Sequence, residues 1–153
     1  MKKITFIIAL TFFAAAACFA QNKIADGKTV KVLIGQKEFK LVAATEQKSH
    51  IQGLSGKKQM PKDGMIFIFN KAEPLVFWMK DMNFAIDIVW VKDNEISGFA
   101  QKTQPEPGKP DYLLKKYFSP QEADKVIELN AGDVEKFKIK VGDKIKIKAV
   151  SSE

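Results

Sequence analysis

Met65-Ile66-Phe67-Ile68-Phe69, Leu75-Val76-Phe77-Trp78-Met79 and Ile86-Asp87-Ile88-Val89-Trp90-Val91 are three short runs dense in aromatic and β-branched residues. Runs of that length, bounded by turn chemistry, read as strands, because such side chains fit a pleated, buried surface and the runs are too short for helices. Pro61-Lys62-Asp63-Gly64 marks the turn before them, and Asp93-Asn94 marks one before a further strand at 95–100. The third run is apolar at both alternating sets of positions. It is therefore expected to be covered on both faces, with Asp87 as its single acid.

Upstream, Val30, Val32 and Ile34 alternate with Lys31 and Leu33, and Phe39 and Leu41 follow across Gly35-Gln36, the pattern of a hairpin. Thr45 with Glu46 predicts the start of a short helix whose apolar stripe is Ile51 and Leu54, ended by Gly53 and Gly56. Downstream, Gln104 to Asp111 carries three prolines and reads as an extended loop. Ser119-Pro120-Gln121-Glu122 has the form of a helix N-terminus, with a capping Ser and Pro at the first helical position. Val126 to Leu129 reads as a strand, Asn130-Ala131-Gly132-Asp133 as a break, and a last hairpin is expected around Gly142-Asp143. Together these predict a mainly β, single compact domain over 29–150. Its short, mostly antiparallel strands would form a sandwich or barrel with one or two short helices. Residues 21–28 are polar and aperiodic, which predicts a flexible tether.

The first twenty residues carry their own signature. Met1-Lys2-Lys3 is followed by a nearly apolar run to Ala17, too short for a bilayer, and Cys18-Phe19-Ala20 places small residues before a cut at Gln21. Residues 1–20 are thus expected to be a signal peptide, which places the domain in the periplasm or outside the cell. Ala15-Ala16-Ala17-Cys18 also resembles a lipoprotein box, in which Cys18 would carry a lipid anchor. The rest of the chain has no segment of transmembrane length. The 153 residues carry a net charge of +7, all 25 basic residues being lysine. Cys18 is the one cysteine and His50 the one histidine, so a processed chain has no disulfide, no thiolate metal site and no pair of imidazoles. No metal and no cofactor are expected. Base-reading arginines are lacking, and nucleic acid is not an expected partner.

Several blocks have a familiar spacing. Gly53-Leu54 near Lys57, Gly64-Met65-Ile66-Phe67, Phe77-Trp78-Met79-Lys80, Asp87, Glu128-Leu129-Asn130-Ala131-Gly132 and Gly142-Asp143 together resemble the family called domain of unknown function 192, over about Val30 to Val150. The resemblance implies a compact, mainly β domain, often exported, with no established activity. Departures include Asp81-Met82 where the family usually has Asn-Thr, and lysine at position 57 where it usually has arginine.

Asp87 is the acid most in need of an explanation, since a carboxylate between apolar neighbours must be paired, hydrogen-bonded or neutral. A hairpin of 75–80 with 86–91 would set Lys80 across from it. Trp78 and Met79 should point to opposite faces, one packing the core and the other free for a cleft. Asp87, Trp78, Lys80 and His50 are the candidate ligand-binding residues, His50 being expected to lie in solvent. No catalytic set is complete: Ser55 is not in a nucleophile elbow and lacks an evident base. Lys136, Lys138, Lys140, Lys144, Lys146 and Lys148 alternate with apolar residues and would share one face of a terminal hairpin, a surface for an anionic envelope polymer or headgroup. The expected function is a non-enzymatic exported binding or accessory module for a small-molecule or envelope-polymer ligand. The alternatives are a hydrolase built on Asp87 with a lysine or His50, and a protein-interaction scaffold using the lysine face.

Overall fold

The computed structural model describes residues 24–149; the expected signal peptide, Cys18 and the first residues of the expected tether lie outside them. In chain order the elements are β1 (Thr29–Ile34), β2 (Lys37–Ala44), α1 (Gln47–Gln52), β3 (Gly64–Glu73), β4 (Val76–Trp78), β5 (Ile86–Lys92), β6 (Glu95–Thr103), β7 (Lys116–Phe118), β8 (Ala123–Asn130), α2 (Asp133–Lys136) and β9 (Ile145–Ala149), with a 3-10 turn at Asp111–Leu113. The mainly β architecture expected from the alternating patterns is what forms.

Seven strands make one sheet in the order β6-β5-β8-β3-β2-β1-β9, and β4 pairs with β7 in a separate ribbon. All neighbours are antiparallel except β2 and β3, whose parallel pairing is made possible by the α1 connection. The sheet curls until its two ends meet. Ile96 N–H donates to Asp143 O at 2.9 Å, Gly142 N–H to Ile96 O at 2.8 Å and Ile145 N–H to Asn94 O at 2.8 Å, tying the start of β6 to the approach to β9. These bonds close one corner only, so the curled sheet is a half-barrel whose end strands are covered just where they meet.

The curl gives the sheet an inside and an outside. Val32, Phe39, Leu41, Ile66, Val89, Ile127 and Leu129 fill the inside. Met65, Phe67, Ile86, Ile88, Trp90 and Val126, from the other faces of β3, β5 and β8, form a second core under α1, the β4–β7 ribbon and their loops. That second cover is why β5 is buried along almost its whole length. At about 25 cal/mol per Å² of apolar surface, two covered faces stabilise a small domain far more than one.

Asp87 is fully buried on the inner face of β5, beside Val89 and Val91. Opposite it β6 bulges: Ile86 faces Thr103 and Ile88 faces Ala100, so Gln101 and Lys102 share one place. Lys102 takes a φ of 51° there and turns its N–H onto Asp87 Oδ1 at 2.7 Å. Oδ2 accepts from Gly132 N–H at 3.0 Å and Val134 N–H at 2.9 Å, capping α2 from across the sheet. The expected Asp87–Lys80 pair does not form, because β4 pairs with β7 instead of β5; Lys80 instead reaches Asp111.

Other expectations are corrected. Glu46, not Thr45, is the N-cap of α1, while Thr45 N–H donates to Asp26 Oδ1 at 2.6 Å. Ser49 Oγ–H also donates to Asp26, at 2.6 Å, and these bonds hold the Asp26 carboxyl below its usual range. Residues 24–28 of the expected tether are consequently part of the fold, with Gly27 N–H on Ala43 O and Ile24 packed against the inner core. Residues 119–122 form no helix, since Leu75 N–H donates to Ser119 Oγ, and Ser119 N–H to Leu75 O, tying that segment to the β4 ribbon. The expected terminal hairpin loses its first arm: Lys136 ends α2, Lys138 takes a φ of 56°, and only residues 145–149 are a strand.

Replacing Asp87 by Asn keeps the shape but leaves an amide N–H₂ facing backbone donors. Asp87→Asn is expected to lower the unfolding free energy by about 2–4 kcal/mol, read from urea denaturation, and to accelerate hydrogen exchange at Lys102, Gly132 and Val134.

Candidate binding cleft

The outer cover does not close flush. Between α1, the outer face of β3 and the β4 ribbon lies a cleft of about 300 Å³, walled by Phe67, Phe69, Phe77 and Trp78. Strand alternation sets this wall. Phe67 is buried, Phe69 follows it on the same face as β3 runs outward, and Phe77 meets the edge of Phe67 at 5.2 Å in a T-shaped contact. Trp78 is 44 % exposed while Met79 is buried, the opposed orientation expected of that pair.

His50 is not a solvated residue. Its ring lies 4.5 Å from Phe69, and Nε2–H donates to Ala44 O at 3.0 Å, so the imidazole forms part of the cleft wall. Ser55 also lines the cleft, but its Oγ–H donates to Lys80 O at 2.7 Å. Neither side chain is directed at the other, which removes the arrangement a Ser–His nucleophile needs.

The residue that sequence reasoning missed is Glu128. It stands on β8 between Met65 of β3 and Ile88 of β5, 5 % exposed, and it lines the cleft. Its Oε2 has no hydrogen-bond partner among the described residues. Burial alone pushes this carboxyl up to about 8, so at neutral pH it is mainly the protonated acid. The signal was present in Val126-Ile127-Glu128-Leu129, an acid inside an apolar run, the same pattern that drew attention to Asp87. Trp90 Nε1, on the same outer face, is also buried without a partner among the described residues.

Of the four candidate ligand residues, His50 and Trp78 share the cleft, while Asp87 and Lys80 do not. Asp87 faces the interior on the other side of the sheet, and Lys80 lines a small depression beside Asp111, whose bond raises its pKa. The lysine series is exposed but scattered over α2, the following turn and β9; Lys144 pairs with Glu95 at 2.5 Å and Lys148 with Glu38 at 3.8 Å. A separate depression of about 260 Å³ beside Lys92, Glu95 and Lys144 lies where the sheet ends meet. Among the described residues no group of three or more potential metal ligands converges, and no helix is long and apolar enough to cross a membrane.

The comparisons agree with this architecture. The family model DUF192, described as uncharacterized ACR, matches residues 29–147. A crystal structure of a candidate transcription regulator from Sinorhizobium meliloti superposes with a TM-score of 0.71 at 23% identity, covering 81% of this chain and 97% of that one. A protein of unknown function from Novosphingobium aromaticivorans superposes with a TM-score of 0.64 at 24% identity, covering 77% of this chain and 83% of that one. No curated protein matches the chain.

The pKa of Glu128 sets a direction for stability. Because the folded chain holds a proton that the unfolded chain releases above about 4.5, this group's contribution falls as pH rises from about 4.5 to about 8. Glu128→Gln is expected to remove that fall, worth several kcal/mol by the rule of roughly 1.4 kcal/mol per pKa unit. Urea denaturation of parent and variant at pH 5 and pH 9 measures it; parallel profiles would show that burial does not perturb the acid.

Proposed function

The chain belongs to the DUF192 family, and from that premise we propose that it is a non-enzymatic binding module whose ligand enters the aromatic cleft over Glu128. The observation that carries this reading is the cleft itself, an open space walled by aromatic side chains with one unpartnered polar group at its base. Small-molecule sites commonly have that make-up, mostly apolar with a few placed polar atoms. Trp78 supports the reading, because a half-exposed indole at the rim loses water-contacting surface only when something covers it.

The hydrolase alternative draws no support from the geometry. Asp87 spends both oxygens on backbone N–H groups, and His50 and Ser55 are engaged with carbonyl oxygens. The adhesive lysine face rested on a terminal hairpin, and the end of α2 and the turn after it stand where its first strand was expected.

A neutral apolar fluorophore of suitable size, N-phenyl-1-naphthylamine, tests the cleft. Its emission should rise on mixing with the parent, and Trp78→Ala and Phe69→Ala should each weaken binding about tenfold or more, about 1.4 kcal/mol. Both side chains lie at least partly outside the buried core, so the variants are expected to fold. Unchanged binding in both would place the ligand elsewhere.

Export is part of the proposal and rests on the N-terminal pattern of a basic start, an apolar run and small residues before Gln21. The intact mass of the protein recovered from producing cells is expected to match residues 21–153. A mass carrying a diacylglyceryl group on Cys18 would instead show a lipid-anchored form.

A further inference from the structure

The chain carries 25 lysines, yet no lysine is among the described residues lining the cleft. The ionisable groups there are His50 and Glu128. Around Glu128, β3 presents Met65 and Phe67, β5 presents Ile88, the ribbon presents Phe77, and α1 presents His50. On β8 itself, Lys125 and Asp124 pair with each other at 2.6 Å. Glu128 Oε2 is thus a buried oxygen that no group among the described residues serves.

We propose that the cleft takes a small organic cation, a quaternary ammonium or protonated amine on a short apolar body, with Glu128 as its counter-ion and the aromatic wall around its charge. This rests on the cleft being the ligand site. Three features favour a cation over a neutral or anionic ligand. Aromatic faces carry negative potential, and Trp, Tyr and Phe rings attract alkylammonium groups held within about 6 Å. A carboxylate is the matching counter-charge, and Glu128 lines the cleft with no cation paired to it among the described residues. No lysine of this strongly basic protein lines the wall, so the guest meets no ammonium group there, whereas a carboxylate or phosphate ligand would find no lysine to pair with.

The charge balance makes a specific demand. At neutral pH Glu128 is mainly protonated, so a cation entering the cleft must drive its proton to solvent to leave a neutral ion pair. One proton is released per cation bound. Affinity should therefore rise about tenfold per pH unit between the lower pKa of the cation-bound state and about pH 8, and level off above that.

Choline and its neutral isostere 3,3-dimethylbutan-1-ol provide the test, because neither titrates over the range and they differ in little but charge. Calorimetric titration of the described domain within the full chain, at pH 6, 7 and 8, is expected to show choline binding strengthening with pH and exceeding the isostere at least tenfold at pH 8. Buffers of different ionisation enthalpy should reveal release of about one proton at pH 7 and about half a proton at pH 8. Glu128→Gln should abolish both the pH dependence and the preference, and Trp78→Leu, at a half-exposed position, should weaken choline binding without altering the fold. Equal binding of the two probes by the parent, or a pH-independent preference, overturns the cation assignment. If N-phenyl-1-naphthylamine still binds in a Trp78-dependent way, that result leaves the cleft as a site for neutral ligands; if neither that fluorophore nor choline binds, both proposals fall.

Discussion

The buried carboxylate of Asp87 is the constraint on which the rest of the curled sheet depends. A charge placed among Ile, Val and Leu is tolerated only where donors replace its water, and here three backbone N–H groups do so. Those donors come from two separate segments, the β6 bulge and the turn into α2. Holding them fixes where β6 bends and where the chain leaves β8. Val134 and Ile139 are then delivered to the inner core, and the chain is aimed toward β9, where the sheet ends meet. A hydrophobic residue at position 87 would pack well but could not satisfy the turned-in N–H of Lys102.

The two faces of the central strands have different roles. The inside is sealed by the curl and is packed with aliphatic residues and Phe39. The outside depends on added pieces, namely the α1 connection and the two-stranded β4–β7 ribbon, which approach from different parts of the chain. Pieces assembled that way leave a gap where they meet, and the cleft is that gap. Gly53 shows how closely the α1 connection approaches elsewhere, since a Cβ there would lie 3.3 Å from the Phe67 ring, and within the sheet one at Gly64 would lie only 2.1 Å from Glu128 O. At Gly64, whose φ of 152° also favours glycine, the close passage lets β3 lie against β8 just where Glu128 turns into the outer core.

Two acids in adjacent strands therefore reach opposite fates. Asp87 and Glu128 both interrupt apolar runs, and in each case alternation sends the carboxyl to a buried face. Asp87 meets backbone donors and is fully satisfied. Glu128 meets Met65, Ile88 and aromatic rings, keeps an unpartnered oxygen and holds its proton. A protein that retains so costly a group beside an open cleft loses stability there, which is the kind of concession found at functional sites.

The strand runs, the β1–β2 hairpin, the double burial of β5 and the capping need of Asp87 were all legible in the sequence, because periodicity and desolvation act on neighbours along the chain. Spacing of the quoted blocks was enough to point to the family. The helix expected at Ser119-Pro120 and the hairpin expected at the lysines failed because local capping and alternation were overridden by long-range bonds, to Leu75 in one case and to Asp87 through Gly132 and Val134 in the other. The pairing of β4 with β7, forty residues downstream, could not be anticipated from two adjacent strand patterns that suit a hairpin equally well. The cleft belongs to the same category. Its walls come from α1, β3, β4 and β8, and whether an acid in a strand is capped or orphaned depends on which backbone passes over it, a matter that tertiary packing alone decides.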